Sequence, residues 1–215
     1  MSTSFRLNLF PLFLNKISSY SDALLSVADR NSIYCNYIKS ASSKFIECDT
    51  DISVNARVDA TGVTELFNGD GVTASFTMVS TALTGSEYVV LVSSTTSVSE
   101  TNFTVSGNVF TFATGYYPAT GTSNVSISWE FAGEYTEDLT ELEEEIVANM
   151  MVLEWLKPKV NHMDLLEYRL GSKDFQMFSP ANFLKELREL KKDTELEIDS
   201  LIVKYSYNND LSDLS

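Results

Sequence analysis

Histidine is almost missing: His162 is the single one in 215 residues. A Ser/His/Asp or Cys/His catalytic set would have to use it. Its setting, Asn161-His162-Met163-Asp164 shortly after Pro158, reads as a loop between helices, and no nucleophile elbow is present anywhere. Cysteine is nearly as scarce. Cys35 and Cys48 stand thirteen positions apart, too few for a disulfide scaffold, and read as a reduced pair. A metal site would need histidine or acidic partners, and the chain has one histidine. Positive charge is the third shortage, with 15 Lys and Arg against 30 Asp and Glu, a net charge of -15. Between Arg57 and Lys157 there is not one Lys, Arg or His. Sequence-independent binding of duplex DNA runs on Lys and Arg, which argues against a general DNA-binding role; a surface that repels DNA, or a partner with a basic face, fits better. No apolar run approaches the roughly 18 residues of a membrane span. Leu9 to Leu14 is interrupted by Pro11, and no basic head precedes a small-residue cleavage site, so no secretory signal is read. A soluble protein made in the cytoplasm is expected. No Gly-rich loop with a Lys offers a phosphate cradle.

What is present is dominated by Thr136 to Tyr207. Apolar residues recur at Leu139, Leu142, Ile146, Met150, Leu153 and Leu156, and again at Phe183, Leu187, Leu190, Ile198, Leu201 and Tyr205. Steps of three and four are the period of a helix with one buried face. Two long helices are therefore expected. Thr140 and Glu143 suit a capping box. Pro158 either kinks or ends the first helix, and Gly171 suits the stop of a segment after it. Ser179 and Pro180 suit the N-cap and first turn of the second helix. A continuous helix from Pro180 to Tyr205 would span about 39 Å, hard to bury in a chain of this size.

Before these come weaker helical patterns. Pro11 can start one through Leu12, Leu14 and Ile17, and Ser21 and Asp22 can cap another through Leu24, Leu25 and Ala28. Asn31 or Ser32 can start a third, with Ile33, Tyr37, Ile38, Ala41 and Phe45 on one face. Near Asp49 the period changes to two. Ile52, Val54, Ala56 and Val58 alternate as a half-buried strand would. Further strands are expected at Ser75 to Val79, Tyr88 to Ser93, Asn102 to Ser106, Val109 to Ala113 and Asn124 to Phe131. Ser106-Gly107-Asn108 suits a hairpin and Asn68-Gly69-Asp70-Gly71 a turn. Short strands with Gly-rich turns argue for a small antiparallel sandwich or barrel. The fold class is thus α+β: a helical domain of residues 1–59 and 134–215, with a β-sandwich of 60–133 inserted in a loop.

Other motifs take ordinary readings. Glu141 to Glu145 could be paired carboxylates of a glycosidase, but a helix first turn favours negative charge on its own account. Asn68 to Gly71 lacks the further ligands and closing glutamate of a calcium loop. Lys185, Arg188, Lys191 and Lys192 are interleaved with acids, which suits pairing along or between helices. No cofactor and no metal is expected.

Two segments carry a resemblance. Phe67-Asn68-Gly69-Asp70-Gly71, Phe76, Phe103 to Asn108, Phe110-Thr111-Phe112 and Val125-Ser126-Ile127-Ser128-Trp129 resemble a small β-sandwich module of tailed-bacteriophage virion proteins. Trp155 to Tyr168, and Asp174-Phe175 through Ser179-Pro180-Ala181-Asn182 to Tyr205-Ser206-Tyr207, are similar to head–tail connector (adaptor or neck) proteins of those phages. The resemblance implies a structural virion protein in the neck, a homo-oligomeric ring, commonly of twelve, that docks on the portal protein and meets the next neck or tail ring. It implies no membrane partner, no enzyme activity and no specific nucleic-acid binding, although DNA would pass through the lumen. In that arrangement helices 139–156 and 180–205 form the ring wall. Trp155, Phe183, Leu187, Leu190 and Arg188 meet a neighbouring subunit, while Tyr205, Tyr207, Leu211 and Leu214 dock on the portal or on that neighbour. The rival reading is a tail-fibre or baseplate subunit whose sandwich binds host glycan through Tyr116, Tyr117 and Trp129.

Overall fold

The computed structural model describes residues 2–17, 26–83, 86–93, 96–170 and 180–212, without the side chains of 163–170, 180–182 and 209–212. The fold is α+β, with antiparallel sheets and two long C-terminal helices. It divides into two compact units. The first comprises residues 1–24, 33–58 and 134–215, and the second 25–32 and 59–133. The expected caps Ser21 and Asp22, Gly171 and Ser179 lie outside the described residues.

In the first unit the chain opens with a π-helical turn, Phe5–Leu9, that runs into α1, Phe10–Lys16. Pro11 sits in the first turn of α1, where its missing N–H costs nothing. Helix α2, Val27–Ser42, of which residues 33–42 belong to this unit, starts earlier than Asn31 or Ser32 would place it. Ser26 explains this: its hydroxyl accepts the Asp29 N–H at 3.1 Å and donates to the Asp29 carboxylate at 2.7 Å. This cap overrides the weaker signal at Asn31, which is buried inside the helix. Tyr34 makes T-shaped contacts with Phe10 and Phe13, ring centroids 5.1 Å apart in each pair, and Ile38, Ala41 and Phe45 continue the buried face.

The strand expected over Ile52 to Val58 shrinks to two residues, β1, Arg57–Val58, after a 3-10 turn at Val54–Ala56. Val54 faces water, so the alternation there does not mark a two-sided strand. β1 pairs with β9, Glu134–Tyr135, and Ser4 bridges to Glu134. The short sheet delivers the chain into α3, Glu141–Leu170. The capping box is formed: the Glu143 N–H donates to the Thr140 hydroxyl at 3.3 Å and the Thr140 N–H donates to the Glu143 carboxylate at 2.7 Å. Pro158 neither ends α3 nor stands at its start. It is exposed, and buried Leu156 and Val160 anchor the helix on either side of it. Packing there outweighs one lost backbone hydrogen bond. His162 accordingly lies within a helix, exposed, rather than in a loop.

Every residue from Ile146 to Val152 is buried, so this part of α3 is enclosed on all faces by its own chain. Leu142, Leu153 and Trp155, on either side of that stretch, stay partly exposed. α4, Pro180–Ser212, is continuous for 33 residues, about 50 Å. It packs on α3 through Leu184, Leu187, Ile198 and Tyr205.

The second unit is a sandwich. One sheet has the order β2-β8-β4-β5, with β2 Thr61–Gly69, β8 Gly121–Phe131, β4 Glu87–Val92 and β5 Thr96–Ser97. The other is β3-β7-β6, with β3 Ser75–Thr77, β7 Val109–Phe112 and β6 Phe103–Ser106. Phe76, Phe103, Phe110 and Phe112 from the second sheet share one apolar cluster with Val90, Val125, Ile127, Trp129 and Phe131 from the first. Gly107, at φ +61, opens the two-residue turn from β6 to β7. Asn108 pins that hairpin to β3: its side chain donates to the Met78 carbonyl at 2.6 Å, and its own carbonyl accepts the Met78 N–H at 2.9 Å. β2 does not follow from the hydrophobic pattern. Its inward positions are Val63, Glu65 and Phe67, and its outward Leu66 is exposed. Glu65 is accommodated at this edge because its carboxylate accepts the N–H groups of Val79 and Ser80, both at 2.9 Å, and the Ser80 hydroxyl at 2.8 Å.

Candidate functional site

Chemistry-bearing groups converge at one place in the first unit, around the start of α3. Glu143 is only 1% exposed and Tyr205 4%. One carboxylate oxygen of Glu143, Oε2, accepts from the Thr140 N–H and, at 2.8 Å, from the Thr140 hydroxyl. The other, Oε1, accepts from the Tyr205 phenol at 2.8 Å and the Cys48 thiol at 3.2 Å. The Tyr205 oxygen in turn accepts the Asp49 N–H at 2.8 Å, and its ring meets Phe45 edge-on at 5.3 Å. Burial pushes the Glu143 pKa up, but the donors from Thr140, Tyr205 and Cys48 outweigh it and leave the pKa below the ordinary value. The same burial and the same carboxylate push the Cys48 thiol up to about 12. A neutral thiol is a poor nucleophile and a poor metal ligand. With its donors satisfied, Glu143 holds no free base, and the arrangement is a structural clasp joining α3, the 45–49 turn and α4.

This clasp corrects the placement of Tyr205 as a docking residue, since it is spent inside its own chain. Leu187 is corrected on the same ground, being buried on the α3 side of α4. Trp155 is half-buried, with the Lys159 Nζ 4.3 Å from its ring centroid. Phe183 and Leu190 are 50% and 45% exposed, and Arg188 is also exposed. Tyr207 is 65% exposed. The Leu211 side chain and Leu214 lie outside the described residues. Trp129 is in the sandwich core, its indole N–H donating to the Ser80 hydroxyl at 3.0 Å, and is withdrawn from any ligand surface. Tyr116 and Tyr117 are exposed.

A second face of α4 emerges from these exposures. Leu196, Val203 and Tyr207, at steps of seven and four, are 58%, 69% and 65% exposed. Ile198 and Tyr205 each come two residues after one of them, about 200° around the helix, and those two are buried. α4 thus has one apolar face on α3 and another facing water. The pairing of Glu143 with Tyr205 escapes sequence reading because 62 positions separate them. Only the local capping box is visible as a pattern.

Oxygens of the acidic turn in the second unit are likewise occupied. The Asp70 carboxylate accepts from the Val72 N–H at 2.9 Å, the Thr73 N–H at 2.6 Å and the Thr73 hydroxyl at 2.5 Å. The Thr73 hydroxyl and these N–H groups lower its pKa to about 2. It is a closed Asx turn. Among the described residues no helix is long and apolar enough to cross a membrane. The chain matches no known protein-family profile, and no curated protein matches it.

Proposed function

We propose that the chain is a structural subunit of a tailed-phage virion, a head–tail connector whose copies close into a ring in the neck, between the portal protein and the next neck or tail protein. The observation that carries this reading is α4. It is a 33-residue helix that buries one face on its own chain and keeps a second apolar stripe, Leu196, Val203 and Tyr207, in water. An exposed stripe at that spacing marks a surface meant for another helix. The closed carboxylate clasp suits a framework rather than a catalyst. The net charge of -15 suits a lumen that repels passing DNA instead of gripping it. Negative-stain imaging of the chain mixed with the portal protein of the same genome tests the reading. The expected result is an added ring on the portal. Absence of the chain from purified virions overturns it.

One observation favours a second reading. Tyr116 and Tyr117 are exposed in the loop between β7 and β8, where a glycan could stack on them. Binding of purified chain to a glycan panel, abolished by Tyr116→Ala, would support a tail-fibre or baseplate subunit, and a flat response would remove it.

A further inference from the structure

Between α1, the first turn of α3 and the end of α4, the first unit leaves a groove of about 570 Å³. Leu12, Leu142 and Leu201, one from each helix, line it, and all three are partly exposed. Three leucines converging in a concavity gain from being covered, and the described chain does not cover them. The wall beside them is acidic. Glu145 is tied to Lys16, and the Glu144 carboxylate accepts from Asn8 at 2.8 Å. No ion pair holds Glu141 among the described residues. The surplus of negative charge is felt at Glu144, whose pKa is raised first by burial and then by Asp138 and Glu141, against the lowering by Asn8. Lys204 is the one cation in the lining.

We infer that this groove docks a basic amphipathic segment of another protein, an apolar side chain resting on Leu12, Leu142 and Leu201 and a Lys or Arg beside it meeting Glu141 and Glu144. Charge selects that occupant. A second copy would bring a net charge of -15, and on its α4 Lys185 and Lys191 already face Glu189 and Glu195 at 3.8 and 3.7 Å. An anionic lipid surface would be repelled by the same wall. Apolar contact supplies the attraction, and the acids select against neutral or acidic competitors. This inference does not depend on the virion reading.

The test is fluorescence anisotropy of the full chain with a labelled amphipathic peptide of leucine and lysine. The expected result is saturable binding that Glu141→Lys and Leu201→Ser each weaken by about tenfold or more, equivalent to about 1.4 kcal/mol. Glu189→Lys changes the charge equally at an exposed site elsewhere on α4 and should weaken binding by less than about twofold. Circular dichroism checks that each variant folds, and Leu12→Ser probes the same floor from α1 should Leu201→Ser fail to fold. Equal weakening by Glu141→Lys and Glu189→Lys would reduce the effect to net charge and overturn the site. So would absence of binding, or self-association of the chain that Glu141→Lys abolishes, since the groove would then belong to a second copy.

Discussion

Replacing Tyr205 by Phe removes one oxygen and leaves the ring contact with Phe45 in place. At least two hydrogen bonds go with it: the phenol no longer donates to Glu143, and the Asp49 N–H loses this acceptor. A hydrogen bond to a charged group is worth about 1.5–3 kcal/mol, and a partly buried amide left without its partner adds about 1 kcal/mol. The expected destabilisation is therefore about 2.5–4 kcal/mol. In a chain of this size each kcal/mol lowers the melting midpoint by about 2–4 °C. The two tryptophans allow the units to be read apart, Trp155 in the first and Trp129 in the second. Urea unfolding followed by fluorescence in a Trp129→Phe background reports the unit that holds the clasp. Tyr207→Phe, at an exposed position one turn fraction away, should stay within about 0.5 kcal/mol of the parent. The pH dependence gives an independent check. The folded pKa of Glu143 lies below its ordinary value of 4.5, so its contribution is present above that value and is lost as pH falls through the folded pKa. Tyr205→Phe removes a donor and should move the acid transition to higher pH. Equal stability of Tyr205→Phe and parent, with unchanged acid transitions, would refute the clasp.

Further outcomes are expected elsewhere. Gly69→Ala should destabilise the sandwich by about 1–3 kcal/mol, because its Cβ would meet the Ala119 carbonyl at 2.3 Å; Gly62→Ala, whose Cβ would meet only the mobile end of Glu130 at 2.2 Å, should cost less, and fluorescence melts of Trp129 compare the two. Glu65→Ala should cost about 1 kcal/mol in the same melts, since Val79 and Ser80 lose their acceptor to water. Above pH 9 the first unit should weaken progressively. The Cys48 and Tyr135 pKa values rise from 9.0 and 10.0 to about 12 each, so their contribution is complete below the unfolded values and disappears as pH rises through about 12. Cys48→Ala should flatten the stability profile between about pH 9 and 10, as measured by urea titration.

Elements with strong local signals are legible in the sequence. The six apolar points from Leu139 to Leu156 and the Thr140–Glu143 pair announce α3, and alternation from Val125 to Phe131 announces β8. β2 stays hidden because a glutamate occupies an inward position and a leucine an outward one, and Val79 and Ser80, fourteen and fifteen residues later, make that tolerable. Ser26 and Asp29 spell a helix start that the competing Asn31 and Ser32 obscure. Helical period also says that α3 and α4 each bury a face, but not how many faces. Burial all round α3 and the stripe left on α4 depend on which segments the chain brings against them, and so does the distance-spanning bond from Tyr205 to Glu143.

The claim that sister copies cover the outer face of α4 is tested most directly by sedimentation velocity with the portal protein of the same genome. The chain is mixed with that portal as wild type and as the Leu196→Glu, Val203→Glu double variant. Wild type should move with the portal as a multi-copy complex, and the variant should remain at the 24.0 kDa of a single chain. Wild type that stays a single chain beside the portal, or a double variant that assembles as wild type does, would contradict the account.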